Sequence, residues 1–207
     1  APQIIALFTD GNVETELYSA WTYMGLSPDG RFAYISEDET QLVIRGLLDD
    51  STETYMLTSG TSTSEFASRS AYLTWSSEYN VAAYFMRQEE NFDLWLLDSR
   101  VQELTFLKTD VTAFRVRCEN YRDVFCSRYG IWSPDGLRLI FKTMDESHWL
   151  FELDSQEITL LEDFPEYETI NWADNNYQLI LENSDGSHIY DVVSQQHTLV
   201  PRLIGSN

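Results

Sequence analysis

Four times along this chain the same short phrase returns. It reads Leu26-Ser27-Pro28-Asp29-Gly30, then Trp75-Ser76-Ser77-Glu78-Tyr79, then Trp132-Ser133-Pro134-Asp135-Gly136, and last Trp172-Ala173-Asp174-Asn175-Asn176. Each copy leads within a few residues into a short apolar run: Phe32 to Ile35, Val81 to Met86, Leu139 to Phe141, Leu179 to Leu181. The serine-equivalent positions recur roughly every 40 to 57 residues, a period that marks arrays and radially repeated folds. Repetition of this kind restricts architecture severely and chemistry hardly at all.

The third copy shows what one unit contains. Tyr129 to Trp132 is a short strand entering a turn. There Pro134 presets φ for the first central position, Asp135 suits the second, and Gly136 takes the left-handed conformation that follows. Leu139 to Phe141, Trp149 to Leu153 and Ile158 to Leu161 read as further strands, separated by the polar turns Asp145-Glu146-Ser147 and Asp154-Ser155-Gln156. Four short strands and three tight turns in about 35 residues predict a β-meander. The units expected on this basis are 20–57, 70–107, 128–161 and 168–200, with half a unit at 1–19 lacking its first two strands. No stretch has helical periodicity long enough to predict a helix.

A four-stranded meander cannot bury both its faces alone. Copies laid side by side around an axis solve this and leave only short, protected edges. On that reading Trp75, Trp132 and Trp172 pack between neighbouring sheets rather than serving as ligand platforms. Two insertions interrupt the array, the Ser/Thr-rich 58–69 and the segment 109–127. The second carries Cys118 and Cys126, with alternating apolar residues on both sides of 119–123. That pattern predicts a hairpin with the sulfurs across from each other, and a disulfide stabilising by roughly 2–3 kcal/mol.

These phrases resemble the TolB-like, or PD40, branch of the WD40-like β-propellers. In that family an aromatic residue, Ser-Pro-Asp-Gly and two variable residues precede a strand ending in an aromatic, then an aromatic third strand ending in Asp. Trp132 to Phe141 with Asp154 matches nearly in full; the first copy has Leu26 for the aromatic and one residue fewer before Tyr34. The resemblance implies an all-β propeller of four-stranded meander blades, here about four blades plus the N-terminal half blade. It also implies export to the periplasm or cell surface, and protein binding more often than catalysis. Ser27, Pro28, Asp29, Gly30, Ser133, Pro134, Asp135 and Gly136 are structural turn residues, so no catalytic residue carries over.

The net charge of −21 argues against a nucleic-acid partner, which needs a cationic surface. No apolar run approaches the ~18 residues of a membrane span. The chain begins at Ala1, which is compatible with a removed export signal. Cations gather in the middle, at Arg100, Lys108, Arg115, Arg117, Arg122 and Arg128. Arg115, Arg117, Tyr121 and Arg122 are therefore the expected partner contacts. His148, His188 and His197 have no His-x-x-x-His spacing, and no Gly-x-Ser-x-Gly elbow occurs. No cofactor is implied. Acidic turns such as Asp38-Glu39 and Asp185-Gly186 offer a place for Ca²⁺, without the spacing of a dedicated calcium loop.

The expected function is thus that of a non-enzymatic, exported scaffold for a protein partner or multi-subunit complex. Two alternatives stand beside it. One is the gating propeller of a prolyl-oligopeptidase-like hydrolase whose catalytic domain is absent here. The other is a carbohydrate-binding propeller using an exposed Trp such as Trp21 or Trp95.

Overall fold

The computed structural model describes residues 23–35, 41–46, 51–56, 72–88, 91–117, 125–184 and 186–201. The expected half blade at 1–19, the loop 58–69, Tyr121, Arg122 and Trp21 lie outside them. The first meander comprises β1 (Tyr23–Leu26), β2 (Arg31–Ile35), β3 (Gln41–Gly46) and β4 (Thr52–Met56), paired antiparallel in chain order. The second runs through β5 (Tyr72–Trp75), β6 (Val81–Gln88), β7 (Asn91–Asp98) and β8 (Glu103–Thr112). A hairpin of β9 (Phe114–Arg117) and β10 (Phe125–Arg128) follows. The third meander is β11 (Gly130–Trp132), β12 (Arg138–Thr143), β13 (His148–Glu152) and β14 (Glu157–Leu161); the fourth is β15 (Thr169–Trp172), β16 (Gln178–Glu182), β17 (Gly186–Asp191) and β18 (Gln196–Pro201). Among the described residues there is no helix, hence none long and apolar enough to cross a membrane.

The cores lie between sheets. Leu139, Ile140 and Phe141 are all fully buried, although consecutive strand residues face opposite ways. Leu139 and Phe141 pack with Val81, Ala83, Phe85, Leu94 and Leu96 of the second meander. Ile140 points the other way, into a cluster with Ile170, Leu179, Leu181 and Tyr190 of the fourth. The second meander repeats the arrangement. Ala82, Tyr84 and Leu97 face Ala33, Leu42 and Ile44 of the first, while Ala83 and Phe85 face the third. A strand covered on both sides needs an unbroken apolar run, which explains why these runs do not alternate. Each large side chain buried this way is worth about 1.5–3 kcal/mol, and the part of that burial supplied by the neighbouring meander exists only while that meander is in place. The first strands touch in succession, β1 against β5, β5 against β11 and β11 against β15, so they line the inner end of every wedge.

The repeated phrase forms a turn that docks into the previous unit. Gly30 and Gly136 have φ of +80° and +69°, and their amides donate to Ser27 O and Ser133 O at 3.1 and 2.8 Å. Ser76 Oγ, fully buried, donates to Gly136 O at 3.0 Å, and Ser77 Oγ to Pro134 O at 2.8 Å. Asn176 of the fourth phrase accepts from Asp135 N at 2.9 Å. The tryptophans reach backwards too: Trp132 Nε1 donates to Thr74 O at 3.0 Å, and Trp172 Nε1 to Ile131 O at 3.2 Å. Each acceptor immediately precedes the tryptophan of the earlier unit, so the lock itself repeats. Trp75 breaks the series, because its indole nitrogen is buried without an acceptor. The Arg31 guanidinium instead lies over its ring, 6.0 Å from the centroid.

The insertion differs from the reading of 109–127 as one separate hairpin. Residues 109–112 continue β8, which ends by pairing with β12 through Thr112 and Lys142, and Val111 and Thr143. This joins the second and third meanders edge to edge in an eight-stranded sheet. Two register shifts between β7 and β8, with Asp110 in the left-handed region, redirect the strand. Asp110 O then accepts from Met144 N at 2.9 Å. The hairpin proper begins at Phe114, whose side chain joins Val116 in the core between the third and fourth meanders. Its register pairs Cys126 with Val116. Cys118 lies outside the described residues.

Candidate functional site

A cleft of about 900 Å³ opens between the third and fourth meanders, beside the start of the hairpin. Three segments build it. Ala113, Phe114 and Arg115 come from the entry to the hairpin, Lys142 from the end of β12, and Glu146 to His148 from the following turn and the start of β13. The connection after β14 supplies Phe164 to Glu168. Pro165 sits in that connection and cannot donate to a ladder, so the chain crosses between sheets there without extending either.

The floor is aromatic and rigid. The His148 imidazole stacks on Phe164 at 4.1 Å between centroids with 10° between planes. His148 Nε2 lies 2.6 Å from the Tyr167 hydroxyl. Phe164 leans on Tyr190 at 4.7 Å, and Tyr190 donates its hydroxyl hydrogen to Glu162 O at 2.8 Å. Burial pushes the His148 pKa down to about 4; the Lys142 charge adds to this while Glu146 opposes it. Burial, with Glu146 nearby, raises that of Tyr167. At neutral pH the His148–Tyr167 pair is therefore uncharged, which suits an apolar or aromatic guest.

The rim is charged in both signs. Lys142 Nζ bonds Glu146 Oε2 at 2.9 Å, with the lysine stem largely buried and the carboxylate exposed. Arg115 is exposed on the hairpin side, and Glu166 and Glu168 lie along the connection. Of the four residues expected as partner contacts, Arg115 reaches this cleft. Arg117 belongs to β9, and Tyr121 and Arg122 lie outside the described residues. Sequence reasoning passed over Phe164, Tyr167 and Lys142. The available signal was two aromatics flanking a proline in a connection that needed no core residues.

Other residues weighed from the sequence are placed elsewhere. Trp95 packs edge-on against Phe106 at 5.2 Å and sits against the core shared by the first two meanders. Asp145 accepts from Thr143 Oγ1 at 2.7 Å and from Ser147 N at 3.2 Å, so it fastens its own turn. Asp38, Glu39 and Asp185 lie outside the described residues.

Solved structures share this arrangement. An oligogalacturonate lyase in complex with manganese superposes with a TM-score of 0.53 at 10% identity, over 89% of this chain and 54% of that one. Dipeptidyl peptidase 4 of Porphyromonas gingivalis gives 0.52 at 12% identity, over 90% of this chain and 33% of that one. The fold is a β-propeller. TolB from Acinetobacter baumannii matches at a TM-score of 0.44 and 12% identity, over 85% of this chain and 42% of that one. This propeller chain spans about half the length of the lyase, and less of the other two. No protein-family model matches it. No curated protein matches its sequence.

Proposed function

We propose that this propeller is a non-enzymatic, exported scaffold, in the periplasm, at the cell surface or secreted, that binds a protein partner within a larger assembly. The cleft carries the reading: an uncharged aromatic floor of His148, Phe164 and Tyr167 under a rim of mixed charge. Interfaces that bind polypeptides combine aromatic anchors with a polar rim in this way. The floor is held by packing from three segments, so little side-chain freedom remains to be lost on binding. Arg115 supplies an exposed cation in a chain of net charge −21 and favours an acidic group on the partner.

The test is purification from the native source under mild conditions, with mass spectrometry of what co-purifies. A stable hetero-complex that Arg115→Glu dissociates supports the proposal. A lone protein with hydrolase activity reverses it. The likeness to dipeptidyl peptidase 4 favours a second reading, a propeller that gates a hydrolase domain in a longer polypeptide. An α/β-hydrolase pattern in the parent polypeptide would favour it.

A further inference from the structure

The hairpin of β17 and β18 holds two histidines that the strand register, not the sequence spacing, brings together. Tyr190 pairs with His197, and His188 pairs with Leu199. His188 and His197 are therefore diagonal neighbours on one face of the sheet. Their Nδ1 atoms lie 3.3 Å apart, with the rings tilted by 50° and centroids 5.4 Å apart. The turn between the strands is fixed. Asp191 Oδ1 accepts from Val193 N, Ser194 N and Ser194 Oγ at 3.1, 2.9 and 3.0 Å, and Gln195 takes φ of +55°.

Two imidazole nitrogens 3.3 Å apart can both bind one ion. With zinc–nitrogen bonds of about 2.0–2.1 Å, that separation sets a nitrogen–metal–nitrogen angle of about 104–111°. The separation thus matches the tetrahedral angle, and the rings turn only as far as is needed to aim both Nδ1 lone pairs at the ion. We propose that His188 and His197 form a chelating site for a borderline divalent transition metal, with zinc the best match. Imidazole pairs suit Zn²⁺, Cu²⁺ and Ni²⁺, whereas Ca²⁺ and Mg²⁺ require oxygen ligands. Among the described residues no third His, Cys, Asp or Glu completes the set. Asp163 lines the same shallow hollow as His197 and adds negative potential there. The site lies on the outer strands of the fourth meander and is independent of the cleft proposal.

Calorimetric titration of the whole chain with ZnCl₂ tests this, at pH 7.5 in a non-coordinating buffer. The expected result is one ion per chain, with affinity lowered at least tenfold by His188→Gln and equally by His197→Gln. The double variant should be no worse than either single one, because one imidazole alone does not chelate. CaCl₂ and MgCl₂ should give no binding that these variants alter. Since both rings are at the surface, each variant should keep the wild-type melting temperature without metal. A variant that loses it is replaced in the titration by His188→Asn or His197→Asn. Imidazole nitrogen shifts give a second readout: Zn²⁺ should move Nδ1 of both His188 and His197. Zinc binding unchanged in the variants, or shifts at His148 alone, would overturn the proposal.

Discussion

Replacing Gly136 by alanine probes the docking of one repeat into the next, and Gly30 provides an internal control. Both glycines close the same turn with φ near +70 to +80°. An L-residue in that region costs roughly 1–2 kcal/mol at either site. Their surroundings differ. A Cβ at Gly30 meets nothing within 4 Å, whereas one at Gly136 falls 2.2 Å from Ser76 Oγ and 3.2 Å from Glu78 N. Ser76 is buried, so rotating its hydroxyl away breaks the bond to Gly136 O and strands a polar group out of water. That adds about 2–3 kcal/mol. Gly136→Ala should therefore lose about 3–5 kcal/mol and Gly30→Ala about 1–2. Urea unfolding reads this as a shift in midpoint at constant slope. Repeating the change in a Ser76→Ala background should shrink the gap between the two glycines. Equal losses at Gly30 and Gly136 would refute the reasoning, because the turn would then be a local device that touches no neighbour.

Two further outcomes follow from the same packing, and a third from the hairpin expected of the sequence. His148 is neutral and buried, with its pKa lowered from 6.5 to about 4. The unfolded chain thus binds the extra proton across that window, and stability should fall by about 3 kcal/mol as pH drops from 6.5 to 4, a loss that His148→Gln flattens in melting curves. Trp132→Phe and Trp172→Phe each remove an indole bond to the preceding unit and should cost about 1 kcal/mol more than Trp75→Phe, whose N–H has no acceptor to lose. Alkylation without reductant should leave Cys118 and Cys126 unlabelled; two labelled thiols would exclude their disulfide.

The repeats were readable because their turns use local chemistry. Pro134, Asp135 and Gly136 favour one backbone path whatever surrounds them. Trp132, Trp172 and the unbroken apolar runs likewise announced packing on both faces. The continuation of β8 through Thr112 was not readable, because Val111 and Thr112 find their partners on β12, some 30 residues onward. Strand propensity alone does not say where such pairing stops. The cleft stayed hidden for a similar reason: Phe164 and Tyr167 belong to a connection, and only the positions of His148 and Tyr190 make them a floor. His188 and His197 were set aside as a metal pair because metal spacings are rules for helices and loops. Across a hairpin the relevant distance depends on register, which the turn at 192–195 decides.

The central claim is that small sheets survive here by lying face to face, with Trp132 and Trp172 each bonded to the first strand of the unit before it. Proton–proton Overhauser contacts from the assigned indole N–H of Trp132 and Trp172 address it most directly. The account predicts contacts from Trp132 to the backbone of Thr74 and Trp75, and from Trp172 to that of Ile131 and Trp132. Cross-strand contacts between Leu139–Phe141 and Leu179–Leu181, as neighbours in one sheet, would contradict it.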